Sequence, residues 1–223
     1  MDLKINNKHV IVFDLDDTLY SELDYLKSAY KKIASILEKN NPSKLYAEMF
    51  SLYRNGDNVF SYLEDKFSID IKELLSIYRN HFPEDIKLKK RVLYILKTLK
   101  KANVKMAIIT DGRSITQNNK IKALGISDFF DKIIISEEVG TEKPDLNNYL
   151  LIENEFENHE YCYIADNLKK DFIIPNKRNW NSIALIDDGT NINNQSFNYI
   201  NNSINCPKNY IFCFEEINII KDE

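Results

Sequence analysis

The sequence predicts an α/β fold: a parallel β-sheet flanked by helices, with a helical block inserted after its first strand. Three observations predict it. Val10, Ile11, Val12 and Phe13 form a short, continuous, largely β-branched run of the kind buried on both faces of a parallel sheet. Beyond Lys89, further short apolar runs alternate with segments of helical periodicity, the pattern of βαβ units with right-handed crossovers. Between residues 20 and 87 nothing reads as a strand. The expected organisation is an α/β core formed by 1–19 and 88–223, interrupted by a helical domain over 20–87.

Taken in order, Ser21 with Asp24 three residues on reads as a helix start, and Tyr20 and Tyr25 are spaced to staple across its first turn. Tyr25, Leu26, Ala29, Tyr30, Ile33, Ala34 and Leu37 recur at helical spacing and give one buried stripe to a helix over about 22–38. Asn40, Asn41 and Pro42 end it. Three more helices are expected near 43–54, 57–67 and 70–81, and Pro83 with the charged residues after it leads out of the block. The alternation then runs from a helix ending about Lys101 to a strand from Val104 to Ile109. A helix near 115–124, closed by Gly125, precedes a strand at Ile133 to Ile135. A helix near 146–155, a strand from Tyr161 to Ala165 and a short helix after Asn167 follow. Strands near Ile183 to Ile186 and Tyr210 to Phe214 complete it.

The 223 residues are 43% hydrophobic, enough for a sizeable core. Formal net charge is −4, with 30 basic and 34 acidic residues interspersed, and Arg is scarce beside Lys. No basic stripe results, which argues against nucleic acid as a partner. No apolar stretch approaches the roughly 20 residues that a bilayer span requires, and no signal-peptide pattern precedes the first strand. A cytoplasmic protein with no membrane partner is expected. Cys162, Cys206 and Cys213 are odd in number and lack paired spacing with His, so they are expected to be buried free thiols and not a metal site. The apolar stripes of the helical block are explained by packing within it, so no oligomeric state follows.

The chemistry is carried by what ends each strand. Asp14, Leu15, Asp16, Asp17 and Thr18 follow the first strand directly, at the carboxyl end, where α/β sheets bind ligands. Two aspartates one residue apart can address the same reacting atom where a strand unwinds, one attacking and one managing protons. Crowded carboxylates repel, which suits a hard divalent cation with oxygen ligands, magnesium being the natural candidate. Alone, these five residues could equally be a turn in which Asp16 and Thr18 cap a helix. The later strands decide. The second ends in Thr110, Asp111 and Gly112; the loop after the third carries Lys143 and Pro144; the fourth ends in Asp166, with Asp171 five residues on. Hydroxyl, ammonium and carboxylates supply a phosphate donor, a fixed positive charge and metal ligands, the groups that phosphoryl transfer needs.

In that order, over about 10–175, the four segments resemble the motifs of the haloacid dehalogenase-like (HAD) hydrolase superfamily. The helical block placed directly after the first motif is similar to members with a helical cap, as is Glu138-Val139-Gly140 before Lys143. The resemblance implies a Rossmann-like core with an inserted α-helical cap domain, Mg2+ as cofactor and a small-molecule phosphomonoester as substrate: a sugar phosphate, a nucleotide or a phosphorylated acid. It implies Asp14 as a nucleophile that becomes an aspartyl-phosphate, Asp16 as acid and then base, and Lys143 as the third catalytic group. It assigns phosphate binding to Thr110, Asp111, Gly112 and Lys143. The metal falls to Asp14, the backbone carbonyl of Asp16 and Asp166, with Asp171 acting behind them or through water. An aspartate at position 16 speaks for a phosphatase or phosphomutase over cleavage of a carbon–halogen bond. Hydrolysis is the simplest assignment; a phosphomutase, or a catalytically silent binding module of the same fold, is the alternative. Ala165 stands before Asp166 where Gly is usual, and Leu146 follows Asp145 where Pro often occurs; neither touches a reacting group. Tyr20, Glu22, Arg54, Arg79 and His81 are candidates for substrate contacts from the cap.

Overall fold

The inner strands of the main sheet are short apolar runs buried on both faces, and this is what makes the sheet the centre of the molecule. The structure is a computed structural model that describes residues 1–193 and 195–221. The chain opens with β1 (Asp2–Ile5) and β2 (His9–Phe13), then runs through four helices, α1 (Glu22–Leu37), α2 (Pro42–Asn55), α3 (Val59–Phe67) and α4 (Ile71–Asn80). Alternation follows: α5 (Val92–Lys101), β3 (Lys105–Thr110), α6 (Ser114–Ala123), β4 (Lys132–Ile135), α7 (Ser136–Val139), α8 (Leu146–Glu155) and β5 (Glu160–Ala165). The last elements are α9 (Ile173–Lys177), β6 (Asn181–Leu185), α10 (Phe197–Ile200), β7 (Asn209–Ile211) and β8 (Asn218–Lys221).

Six strands form one parallel sheet in the order β4-β3-β2-β5-β6-β7. β2 is central, paired with β3 on one side and β5 on the other. Successive side chains of a strand face opposite ways. Ile11 and Phe13 therefore enter one apolar cluster with Ile95, Leu96 and Leu99 of α5, while Val10 and Val12 enter another with Tyr149 and Ile152 of α8. From β2 the chain builds outward through β3 and β4, then returns to build the other half from β5. That reversal opens a crevice at the carboxyl ends of the strands, where ligands of open α/β sheets sit.

Helices α1 to α4 enclose an apolar cluster of their own, in which Ile33, Met49, Leu63 and Leu74 are fully buried. The start of α1 differs from the reading of Ser21 as a capping side chain. Ser21 makes no side-chain cap, and the Glu22 N–H instead donates to Asp17 Oδ1 at 2.8 Å. A longer reach from the preceding loop satisfies the same orphan donor and ties the helix to the end of β2. Asn41 and Pro42, expected to stop α1, also start α2: Pro42 takes its first turn, and the Asn41 side chain accepts from Lys44 N–H.

A second, two-stranded parallel sheet pairs β1 with β8, and the sequence reading passed over both strands. Each is only four residues long. The expected last strand over Tyr210 to Phe214 shortens to β7, because Phe214–Glu216 turns as a 3-10 helix. The short helix after Asn167 begins only at Ile173. Cys162 is buried, but Cys206 and Cys213 are half-buried, since the segments around β7 lie at the sheet edge and not beneath it. Among the described residues, no helix is long and apolar enough to cross a membrane.

Candidate active site

The site assembles where β2, β3 and β5 end. Asp14 N–H donates to Ile164 O at 3.0 Å, so the ladder between β2 and β5 continues one residue past the strand and fixes Asp14 at its lip. Lys143, from the loop before α8, reaches in beneath it with its side chain 1% exposed. Its Nζ lies 2.7 Å from Asp14 Oδ1 and 2.8 Å from Asp171 Oδ1, and donates to the Tyr163 hydroxyl at 3.2 Å. Asp14, Asp166 and Asp171 each present a carboxylate oxygen, and the three oxygens lie within 4.8 Å of one another.

Three carboxylates so close and so buried set the electrostatics. Burial pushes the Asp14 carboxyl up to about 7, with the charge of Asp171 adding to the rise and Lys143 opposing it. Burial, followed by Asp14 and Asp171, likewise drives Asp166 well above the usual carboxylate range. Burial alone would lower the Lys143 ammonium, but Asp14 and Asp171 outweigh it and hold it well above its ordinary value. Thr18 donates to Asp166 Oδ1 at 3.1 Å and Asn191 Nδ2 to Asp166 Oδ2 at 2.9 Å, fixing that carboxylate from two sides. Among the described residues the buried Asn191 Oδ1 accepts no hydrogen bond, and Asp171 Oδ1 meets only the Lys143 ammonium. An all-oxygen donor set, repulsion within it and unfilled lone pairs together fit a hard divalent cation.

Asp16 is held apart from this trio. Its Oδ1 accepts from the Tyr20 hydroxyl and, at 2.7 Å, from Lys120 Nζ, while Oδ2 accepts from Gln117 Nε2 at 2.7 Å. Burial would raise this carboxyl, yet Lys120 and the hydrogen bonds hold it below the usual range. Gln117 also donates to the Thr110 hydroxyl at 2.6 Å and to Asp111 O at 3.1 Å, coupling the ends of β2 and β3. Asp111 Oδ1 accepts from Lys143 N–H at 2.9 Å, and Oδ2 pairs with Lys170. Gly112 stands at φ +135°, a conformation open to glycine, with its N–H on Ser136 Oγ at 2.9 Å. Asp16, Thr110, Asp111, Lys143 and Lys170 are among the side chains that line a polar cavity of about 180 Å³.

Of the anticipated residues, Asp14, Asp16, Thr110, Asp111, Lys143 and Asp166 line that cavity, Gly112 turns beside it and Asp171 lies behind Lys143. Among the contributors that went unread are Gln117, Lys120, Lys170 and Asn191. Lys170 could have been found four residues past Asp166. Asn191 lies in the loop after β6, whose Asp187-Asp188-Gly189-Thr190 opens at the carboxyl end of a sheet strand as the other motifs do. Gln117 and Lys120 carried no signal beyond two polar residues on α6, and burial reveals them at 1% and 3% exposure. Among the cap candidates, Glu22 lines the cavity and a neighbouring cleft, Arg79 lines the cleft alone and Tyr20 binds Asp16. Arg54 is exposed, and His81 meets Ser28 at 2.8 Å in a separate groove.

Residues 11–185 match the sequence profile of the haloacid dehalogenase-like hydrolases, a span that contains every one of these groups except Asn191. The chain belongs to the haloacid dehalogenase-like hydrolase family. Glyceraldehyde 3-phosphate phosphatase of Methanocaldococcus jannaschii is 30% identical over 178 residues, covering 72% of this chain and 77% of the relative. Two solved family structures share the fold: a HAD phosphatase from Thermococcus onnurineus (TM-score 0.58, 18% identity, 91% of this chain and 93% of that one) and a 2-haloacid dehalogenase from Pseudomonas syringae pv. Tomato DC3000 (TM-score 0.61, 18% identity, 92% and 94%). Since the same HAD scaffold carries both chemistries, the choice between them rests on the site.

Proposed function

We propose that this chain is a magnesium-dependent phosphatase that hydrolyses a small-molecule phosphomonoester through an aspartyl-phosphate. The observation that carries the reading is the Asp14–Lys143 pair at 2.7 Å, with Asp166 and Asp171 close enough to Asp14 to share one cation. The name of the M. jannaschii relative supports the same reaction class.

Asp14, Asp166 and the backbone carbonyl of Asp16 would hold Mg2+, with Asp171 behind them; bound there, the ion neutralises the carboxylates and the charge on the transferring group. Asp14 attacks phosphorus in line, forming the new oxygen–phosphorus bond as the bond to the leaving oxygen breaks. Lys143 and the Thr110 hydroxyl, with N–H groups of the Asp111–Gly112 turn, balance the charge on the non-bridging oxygens. Asp16 delivers a proton to the leaving alkoxide and afterwards removes one from the water that attacks the phosphoenzyme. To do so it must exchange its present partners, Lys120, Tyr20 and Gln117, which now hold it below the usual carboxylate range, for the substrate oxygen, and take up a proton from solvent before the leaving group departs. The helical block over 20–87 serves as the cap that excludes bulk water and contacts the leaving group.

Asp14→Asn tests the assignment. Magnesium-dependent phosphate release from a generic aryl phosphate is expected to vanish, and substantial surviving turnover would exclude Asp14 as the nucleophile.

A further inference from the structure

Beside the polar cavity, and joined to it through Asp16, Glu22 and Asp111, lies a second hollow of about 450 Å³ between the cap helices and α6. Its walls differ in kind from the cavity's. Tyr30, Tyr53, Phe60 and Tyr78 line it, meeting edge to face: Tyr30 with Tyr53 at 6.5 Å between centroids, Tyr30 with Tyr78 at 6.4 Å, Phe60 with Tyr78 at 5.8 Å. Four rings on one hollow form a surface that binds flat groups by stacking and edge contacts. The hydroxyls of Tyr30, Tyr53 and Tyr78 make no hydrogen bond to another described residue. At its wall Arg79 forms no ion pair with a described carboxylate, whereas its neighbour Arg113 is held by Glu137 at 2.7 Å. The Glu22 carboxylate lies at the neck between the two spaces.

We infer that this hollow receives the nucleoside part of a nucleoside 5′-monophosphate, which deepens the phosphatase reading and rests on it. Phosphate at Asp14 places the sugar at the neck, where Glu22 can accept from ribose hydroxyls, and carries the base outward among the rings. Tyrosine hydroxyls and Arg79 then meet the polar edge of the base. The walls argue against the competing classes. A three-carbon leaving group fills little of 450 Å³ and leaves the aromatic surface wetted. A hexose presents hydroxyls in every direction, and on the side of Tyr30, Tyr53, Phe60 and Tyr78 they would meet ring surface. Base–aromatic stacking contributes about 1–3 kcal/mol per base, which corresponds to roughly 5- to 150-fold in affinity.

Steady-state phosphate release by the full chain with magnesium tests this on nucleoside 5′-monophosphates, ribose 5-phosphate and glyceraldehyde 3-phosphate. Ribose 5-phosphate shares the phosphate and sugar and lacks only the base. The best nucleotide is expected to exceed both others in kcat/KM by about tenfold or more. Tyr53→Ala and Phe60→Ala are expected to shrink the ratio of nucleotide to ribose 5-phosphate by about tenfold, mainly through KM, and residual ribose 5-phosphate turnover reports that the variants fold. Equal or better kcat/KM for ribose 5-phosphate or glyceraldehyde 3-phosphate would overturn the nucleoside assignment and leave the phosphatase standing. So would variants that lower all three substrates in proportion. Absence of release from every substrate would overturn the phosphatase reading, and this inference with it.

Discussion

Lys120 Nζ lies 2.7 Å from Asp16 Oδ1, and its side chain is only 3% exposed. The ammonium also sits 4.5 Å from the centre of the Tyr25 ring and 3.8 Å from Glu22, so it is shared among an aromatic face and two carboxylates. A charge placed this deep on α6 is tolerable only because those partners replace water. The consequence is that α6 is fastened both to the loop after β2 and to α1.

Lys120→Met should therefore destabilise the fold. Removing one member of a buried ion pair typically costs about 3–5 kcal/mol, and the remaining hydrogen bonds to Asp16 from Tyr20 and Gln117 place the expected loss near the lower end. Urea denaturation of the single variants and of Lys120→Met in an Asp16→Asn background measures the coupling directly. A coupling of at least about 1 kcal/mol is expected; additive losses would show that the pair is not energetically linked.

Gly112→Ala probes the other arm of the same network. A Cβ at this position would stand 3.3 Å from Gln117 Cδ, at a φ of +135° that L residues rarely adopt. Backbone strain alone costs about 1–3 kcal/mol, and the displaced Gln117 would loosen its bonds to Asp16 and Thr110. A fall in both stability and kcat is expected. In a Gln117→Ala background the steric part disappears, so the alanine should cost less there than in the native chain.

How much of this was legible in the sequence follows from where each residue's signal lies. Val10 to Phe13 and Asp14 to Thr18 could be read because a doubly buried strand must be continuously apolar and its carboxylates follow without a gap. Lys143 and Asp171 gained meaning only from order along the chain, and their ion pair is a product of folding: they lie 28 positions apart in the sequence and 2.8 Å apart in space. Gln117 and Lys120 stayed hidden because helical periodicity marks apolar faces, whereas α6 turns polar side chains inward to satisfy Asp16. The β1–β8 pairing was hidden for a different reason: it joins opposite ends of the chain, and neither four-residue strand has a pattern long enough to announce a partner.

Asp131 allows the electrostatics to be tested away from the site. Its Oδ1 pairs with Lys105 at 2.9 Å and its Oδ2 accepts from Met106 N–H at 3.1 Å, which ties the start of β3 to the turn before β4. Burial by itself would raise this carboxyl, but the Met106 N–H and then Lys105 outweigh it and hold the group below the usual carboxylate range. The sign follows from linkage. A carboxyl with a folded value below its unfolded one adds stability above the unfolded value, near 3.9, and loses it as pH falls through the lower folded value. Asp131→Asn should accordingly cost about 1 kcal/mol at neutral pH, the ordinary worth of such a hydrogen bond. The difference from the native chain should narrow as the pH drops below about 4. Parallel urea titrations of the two chains at pH 7 and at successive values below 5 measure it, and a gap that stays constant across the series would show that the Asp131 charge is not what holds β3 to the turn.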